Sequence, residues 1–173
     1  MRVVAGAFKG RQLQAPRAGR TRPTADKVRE ALFSILGSVD GLRVLDLFAG
    51  SGALGIEALS RGAAAATFVD SASGSVAAVR RNLAEVGAEA EVSRRDALRW
   101  LASAEGSYDL VFADPPYDLA ARVSGPLTQR LPAVLSPHAR IVTESDKRSP
   151  LELGLPLVTE RTYGDTRIAI HRG

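Results

Sequence analysis

No cysteine occurs among the 173 residues, and histidine appears only twice, as His138 and His171. Disulfides, thiolate metal sites and cysteine nucleophiles are therefore excluded. The two histidines stand far apart with no neighbouring ligand spacing, so no metal is expected. Long apolar runs are also missing. Nothing approaches the roughly 20 residues of a membrane span, and no apolar stretch follows the basic N-terminus as a secretion signal would require. These absences predict a cytoplasmic protein. Nothing in the chain demands more than a monomer.

What is present suits one globular domain. Hydrophobic residues make up 45% of the chain, enough for a sound core at this length. Charge is unevenly placed. The net charge is +4, yet residues 1–29 hold eight Lys or Arg against one acid, Asp26. A basic N-terminal segment on a slightly acidic body suggests a polyanionic partner such as nucleic acid.

Short strands at Val3–Ala5 and Arg11–Gln14 are expected around a glycine-bounded turn, followed by a loop from Pro16 to Pro23. Thr24 is a suitable N-cap for a helix carrying Val28, Leu32, Ile35 and Leu36. Strands are then expected at Arg43–Phe48, Ala65–Asp70, Glu89–Arg94, Tyr108–Ala113 and Ala139–Glu144. Helices at Ala53–Arg61, Gly74–Glu85, Ala97–Ala102 and Ala120–Leu131 alternate with them. Leu157–Tyr163 and Thr166–His171 flank Gly164-Asp165, a hairpin signal. The order predicts an α/β, Rossmann-like, mostly parallel sheet with a C-terminal antiparallel hairpin and a small N-terminal hairpin. His171 is expected on an edge strand facing solvent, and Trp100 in the core. Ligands of such sheets lie beyond the carboxyl ends of the strands.

Polar residues gather at those ends. The first strand runs into Asp46-Leu47-Phe48-Ala49-Gly50-Ser51-Gly52-Ala53-Leu54-Gly55. Here Gly50 and Gly52 let the backbone turn tightly against a ligand. With Asp70 ending the next strand, the pattern also fits a dinucleotide fingerprint. Asp46 tilts the reading, because a carboxylate there would oppose a pyrophosphate but suits a ligand with a cationic amino-acid moiety. Asp70 can accept bonds from ribose hydroxyls. Asp96 can accept from an adenine amino group with Ala97 beside the ring, or it can simply cap the helix that follows.

Asp114-Pro115-Pro116-Tyr117 follows the apolar strand Tyr108–Ala113. Two prolines cannot extend a central strand, and they stiffen the backbone that presents the acid and the ring. The lone pair of an exocyclic amino group on a base is delocalised into the ring. Asp114 can hold its N–H bonds and encourage pyramidalisation, while Tyr117 stacks on the base. Methyl transfer from S-adenosylmethionine then depends mainly on positioning. Asp-Pro and Pro-Pro also mark ordinary turns; the acids at the preceding strand ends favour the functional reading.

Asp46-x-Phe48-x-Gly50-x-Gly52 with Asp114–Tyr117 resembles the seven-stranded amino-group methyltransferases. The fuller likeness is to the bacterial 16S ribosomal RNA guanine-N2 methyltransferase family. It takes in Gly6-Ala7-Phe8-Lys9-Gly10-Arg11, Thr21-Arg22-Pro23-Thr24, Val28–Phe33, Leu45–Gly55, Glu57–Gly62 and Tyr163-Gly164-Asp165-Thr166. The resemblance implies S-adenosylmethionine as cofactor and methylation of one guanine N2 in small-subunit rRNA, on assembled or assembling subunits. One departure is Asp70, where that family often has Glu. On this reading residues 1–23 form a basic arm for RNA and residues 24–173 the methyltransferase domain. Lys9, Arg11, Arg20, Arg22 and Arg29 are candidates for phosphate contact, although Arg29 can equally pair with Asp26 or Glu30. Phe8 is expected to pack beneath the hairpin. Rival readings are a DNA adenine-N6 methyltransferase, a protein glutamine methyltransferase, an NAD-dependent oxidoreductase and a non-catalytic rRNA-binding assembly factor. The protein-modifying enzyme should have Asn at Asp114, and the oxidoreductase would leave Asp114–Tyr117 unexplained.

Overall fold

Near-continuous apolar runs such as Val44-Leu45 and Leu110-Val111-Phe112 require burial on both faces, and a sheet covered by helices on both sides supplies it. The computed structural model describes residues 1–16 and 25–173. The chain runs through α1 (Asp26–Leu36), β1 (Arg43–Leu47), α2 (Ala53–Ser60), β2 (Ala65–Asp70), α3 (Ser73–Val86) and β3 (Glu91–Arg94). It continues through α4 (Ala97–Leu101), β4 (Tyr108–Ala113), α5 (Ala120–Arg130), β5 (Leu135–Asp146), β6 (Leu157–Tyr163) and β7 (Thr166–Arg172). The seven strands lie in the order β3-β2-β1-β4-β5-β7-β6. Pairing is parallel from β3 to β5, and β7 is antiparallel to both β5 and β6. The strand order reverses between β1 and β4, which makes their carboxyl ends the crevice for a ligand.

One face carries α1, α2 and α3, with Phe33 of α1 set 5.9 Å from Phe112 of β4. The other carries α4 and α5, where Trp100 and Tyr108 meet at 6.1 Å. Trp100 is therefore a core residue. Among the described residues no helix is long and apolar enough to cross a membrane.

The structure departs from the sequence expectations in three places. The N-terminal strands reduce to one antiparallel bridge, Arg2 with Gln12, flanked by backbone bonds such as Val3 N–H to Arg11 O. β5 begins four residues earlier than expected. Pro137 had hidden its start, because a proline fits a strand only at an edge or an irregularity. His138 duly takes φ +66°, and the β4–β5 register shifts there. Finally, His171 is buried, its Nδ1 3.1 Å from the Leu155 carbonyl oxygen, and does not face solvent. The reason is topological: β7 inserts between β5 and β6 and so is no edge strand. The expected Thr24 cap lies outside the described residues.

Candidate active site

The glycine loop resolves the ambiguity that its sequence carried. A pyrophosphate cradle needs backbone N–H groups aimed outward at the ligand. Here the Gly50 N–H donates to Asp70 Oδ2 at 2.9 Å and the Gly55 N–H to Asp46 Oδ2 at 3.0 Å. The Gly52 N–H turns back to the Ala49 carbonyl at 2.7 Å. Three donors are thus spent internally, two of them on carboxylates, and the acids dominate the loop's field. Phe48, Gly50 and Gly52 have φ of +61°, +57° and +77°. The glycines take this conformation freely, whereas for Phe48 it stores strain on the order of 1–3 kcal/mol.

Asp46 is 3% exposed. Burial pushes its carboxyl up to about 8; the Gly55 N–H works against the rise and nearby Asp70 adds to it. A group held this way favours an incoming positive charge that would allow it to ionise. The residues present thus fit a cationic ligand and disfavour a dinucleotide.

Asp70 closes β2, its two oxygens taking the Gly50 and Ala72 N–H groups. Asp96 is exposed and caps α4, accepting from the Arg99 N–H at 2.9 Å. Capping is therefore part of its place, and Ala97 lies buried behind it.

Across the crevice, β4 ends at Ala113, and Asp114 follows half-buried. Pro115 is buried, Pro116 exposed, and the Pro116 carbonyl accepts from the Leu119 N–H at 2.8 Å to close the turn. Tyr117 is 40% exposed at the crevice mouth. The Asp114 carboxyl is held well above the usual carboxylate range, first by burial and then by the charges of Glu144 and Asp46. Glu144 was not anticipated. The β4–β5 register ends with Ala113 beside Thr143, so Asp114 and Glu144 come next, side by side. The available signal was the run Ile141-Val142-Thr143-Glu144, which places an acid near the carboxyl end of a strand as β1 and β2 do.

The structure assembles Asp46, Phe48, Gly50, Gly52, Asp70 and Asp114–Tyr117 at one end of the sheet, with Asp96 and Ala97 at its margin. The basic residues are placed differently. The hairpin packs along α2, its turn against Ser60 and its open end, Met1 and Gln14, near Ser51. Lys9, in the turn, lies at the end of α2 away from the glycine loop. It is exposed, as is Arg11, which stands 3.8 Å from Glu85. Arg29 corrects the expectation of phosphate contact. It is fully buried, bonded to the Arg2 carbonyl, 3.0 Å from Asp26 and 3.5 Å from Glu57, and cannot reach an external ligand. Arg20 and Arg22 lie outside the described residues. Phe8 packs partly buried against the core.

Glu57 was another omission. It is fully buried in α2 and accepts from the Val4 N–H at 2.8 Å, the Ala5 N–H at 3.0 Å and Arg61 Nε at 2.8 Å. A lone acid inside the apolar helix Ala-Leu-Gly-Ile-Glu-Ala-Leu-Ser was its signal, since buried acids are nearly always paired.

Residues 1–172 match the family model described as conserved hypothetical protein 95. The chain belongs to that family. The Bacillus subtilis protein YlbH is 40% identical over 99% of this chain and 98% of its own length. Ribosomal RNA small subunit methyltransferase D of Haemophilus influenzae is 35% identical, covering 95% of this chain and 89% of its own. The solved structure of Escherichia coli yhhF superposes with TM-score 0.84 at 34% identity, over 99% of this chain and 97% of that one. The family fold is thus the seven-stranded α/β sheet described above.

Proposed function

We propose that the protein transfers a methyl group from S-adenosylmethionine to the exocyclic N2 amine of a guanine in 16S rRNA, on assembled or assembling small subunits. The observation that carries the proposal is the pairing of buried Asp46 with Asp114-Pro-Pro-Tyr117 across the β1/β4 crevice. A cation-seeking carboxylate faces a rigid acid-and-ring pair. The H. influenzae relative's name supports rRNA of the small subunit as the substrate class.

When bound, S-adenosylmethionine supplies an electrophilic methyl on a sulfonium. Asp46 opposes the positive charge of its amino-acid moiety, Asp70 takes the ribose hydroxyls, and Asp96 with Ala97 borders the adenine. Phe48, Gly50 and Gly52 shape the floor beneath it. Tyr117 stacks on the guanine, a contact worth roughly 1–3 kcal/mol. Pro115 and Pro116 fix the height of Asp114, which accepts an N–H bond from the amine and directs its lone pair at the methyl. With the sulfonium sulfur as leaving group, the amine that accepts the methyl would have to shed a proton. Asp114 is the acceptor for that proton, and its burial first, then the neighbouring charges of Glu144 and Asp46, raise its basicity for the task.

Lys9 and Arg11 hold phosphates of the rRNA, together with Arg20 and Arg22 from the basic arm. Replacing Lys9 and Arg11 by Gln should reduce the salt slope of RNA binding by roughly 2 and spare cofactor affinity. An unchanged slope removes them from the interface.

The deciding experiment supplies labelled methyl to 30S subunits lacking their own guanine-N2 methylation, with naked 16S rRNA and DNA in parallel. Label recovered as N2-methylguanosine at one position supports the reading and identifies the assembly state recognised. Tight cofactor binding without label in RNA refutes the substrate.

A further inference from the structure

Three side chains anchor the glycine loop. Asp70 holds the Gly50 N–H, Asp46 holds the Gly55 N–H, and Asn82 donates from Nδ2 to the Ser51 carbonyl at 2.9 Å. Asn82 differs from the two acids in what else it holds. Its Nδ2 also donates to the Gln14 carbonyl at 2.9 Å, and its Oδ1 accepts from the Gln14 N–H at 2.8 Å. One amide, 1% exposed on the 14-residue helix α3, thus ties the end of the N-terminal hairpin to the middle of the glycine loop. The bonding pattern defines the amide's orientation, since turned over it would set an NH2 against the Gln14 N–H. Ser51 Oγ adds a second contact between the same segments, donating to Met1 Sδ at 3.3 Å.

Ser51 is flanked by Gly50 and Gly52, both with left-handed φ. That backbone has little conformational preference of its own, so its anchors decide its shape. A ligand that orders the hairpin end must also order Ser51, because the same amide serves both.

We propose that Asn82 is a positioning residue that couples the two surfaces, so that RNA seated on the hairpin orders the glycine loop and raises affinity for the cofactor. The inference rests on the methyltransferase reading above and adds a linkage to it. By thermodynamic reciprocity the cofactor must raise affinity for RNA by the same factor.

The test measures the Kd of S-adenosylhomocysteine, a non-reacting probe, with and without saturating 30S subunits lacking guanine-N2 methylation. The intact protein is compared with Asn82→Asp and Gln14→Pro. Asn82→Asp keeps the acceptor for Gln14 but sets a carboxylate against two carbonyls. Gln14→Pro weakens the link from the hairpin side by removing one of its two bonds, the Gln14 N–H to Asn82 Oδ1, while the carbonyl bond to Asn82 Nδ2 remains; it changes no residue of α3 or the loop.

Wild-type protein should bind the probe at least roughly fivefold more tightly with RNA present, a factor typical of coupled sites. Asn82→Asp should bring that ratio close to one and Gln14→Pro should lower it measurably, with KM for S-adenosylmethionine raised and kcat preserved at saturation. A role confined to holding α3 in place would leave Gln14→Pro with full coupling, and that result overturns the proposal. So does a wild-type ratio of one in protein that still methylates RNA. Failure of the wild-type protein to bind the probe at all would instead overturn the methyltransferase reading, and this inference with it.

Discussion

Gly55→Ala sets two physical effects of opposite sign against each other in α2. On helix propensity alone, alanine should stabilise the helix by about 1 kcal/mol. The structure opposes this. A Cβ at residue 55 would lie 2.4 Å from Phe68 Cε1, 2.7 Å from Phe68 Cζ and 3.1 Å from Asp46 Oδ2. Carbon atoms settle about 3.5–4.0 Å apart, so the ring must retreat by roughly 1 Å. Phe68 is fully buried on β2 and has nowhere to go. Overpacking of this kind costs about 1–3 kcal/mol. Loosening the Gly55 N–H bond to a buried carboxylate costs about 1–3 kcal/mol more. Packing and the lost bond outweigh propensity, for a net loss of about 1–5 kcal/mol. For a chain of this size that lowers Tm by roughly 2–20 °C. Calorimetric unfolding measures it directly. Because Phe68→Leu removes the obstructing ring atoms, the double variant Gly55→Ala/Phe68→Leu should lose less than the sum of the single losses. A Tm equal to or above wild type for Gly55→Ala would refute the packing argument, and strict additivity would show that Phe68 is not the obstruction.

Four further outcomes follow from the buried charges. With the Asp46 carboxyl at about 8, cofactor-free protein keeps its proton at neutral pH, and binding of a cation drives it off. Affinity for S-adenosylmethionine should therefore rise by up to about tenfold per pH unit below 8 and level off above it. Titration at pH 7 in buffers of different ionisation enthalpy detects the released proton, and buffer-independent heat would remove Asp46 from the cation's path. In the cofactor-free protein the same group binds its proton more tightly folded than unfolded. Stability should thus fall as pH rises from about 4 to 8, a slope that Asp46→Asn lessens and that the raised Asp114 carboxyl keeps from vanishing. Asp114→Asn should slow methyl transfer by roughly 10²–10⁴ while leaving cofactor affinity near normal; a rate within tenfold of wild type would mean the proton goes elsewhere. Glu57→Ala strands buried Arg29 and the hairpin N–H groups, and should cost about 3–5 kcal/mol in urea unfolding. A loss under about 1 kcal/mol would show that the hairpin is held by packing alone.

Much of this architecture is local and therefore legible in the chain. Apolar runs such as Leu110-Val111-Phe112, glycines at Gly50 and Gly52, and the stiff Asp114-Pro-Pro-Tyr117 turn are dictated by neighbours in sequence. From them came the alternating elements, the acids at strand ends and the active end of the sheet. Residues 1–14 showed their charge but not their attachment. Glu57 read as one acid in an apolar helix with Arg61 four residues on, and only the fold supplies Val4, Ala5 and Arg29 as its other partners. Asn82 carried no signal, since its partners are the backbone groups of Gln14 and Ser51. Arg29 read equally as a phosphate contact or a partner of Asp26; the fold keeps the Asp26 pairing and adds buried Glu57, which no local pattern announced. His171 looked exposed until β7 slid between β5 and β6. The glycine pattern left the choice of ligand charge open. The destination of its N–H groups decided it, two of them to Asp46 and Asp70, and a hydrogen bond between distant strands is set by sheet register. Periodicity and turn chemistry act over a few residues and survive in the linear sequence. Burial, charge pairing and the field at a strand end depend on which distant segments meet, which the tertiary structure alone decides.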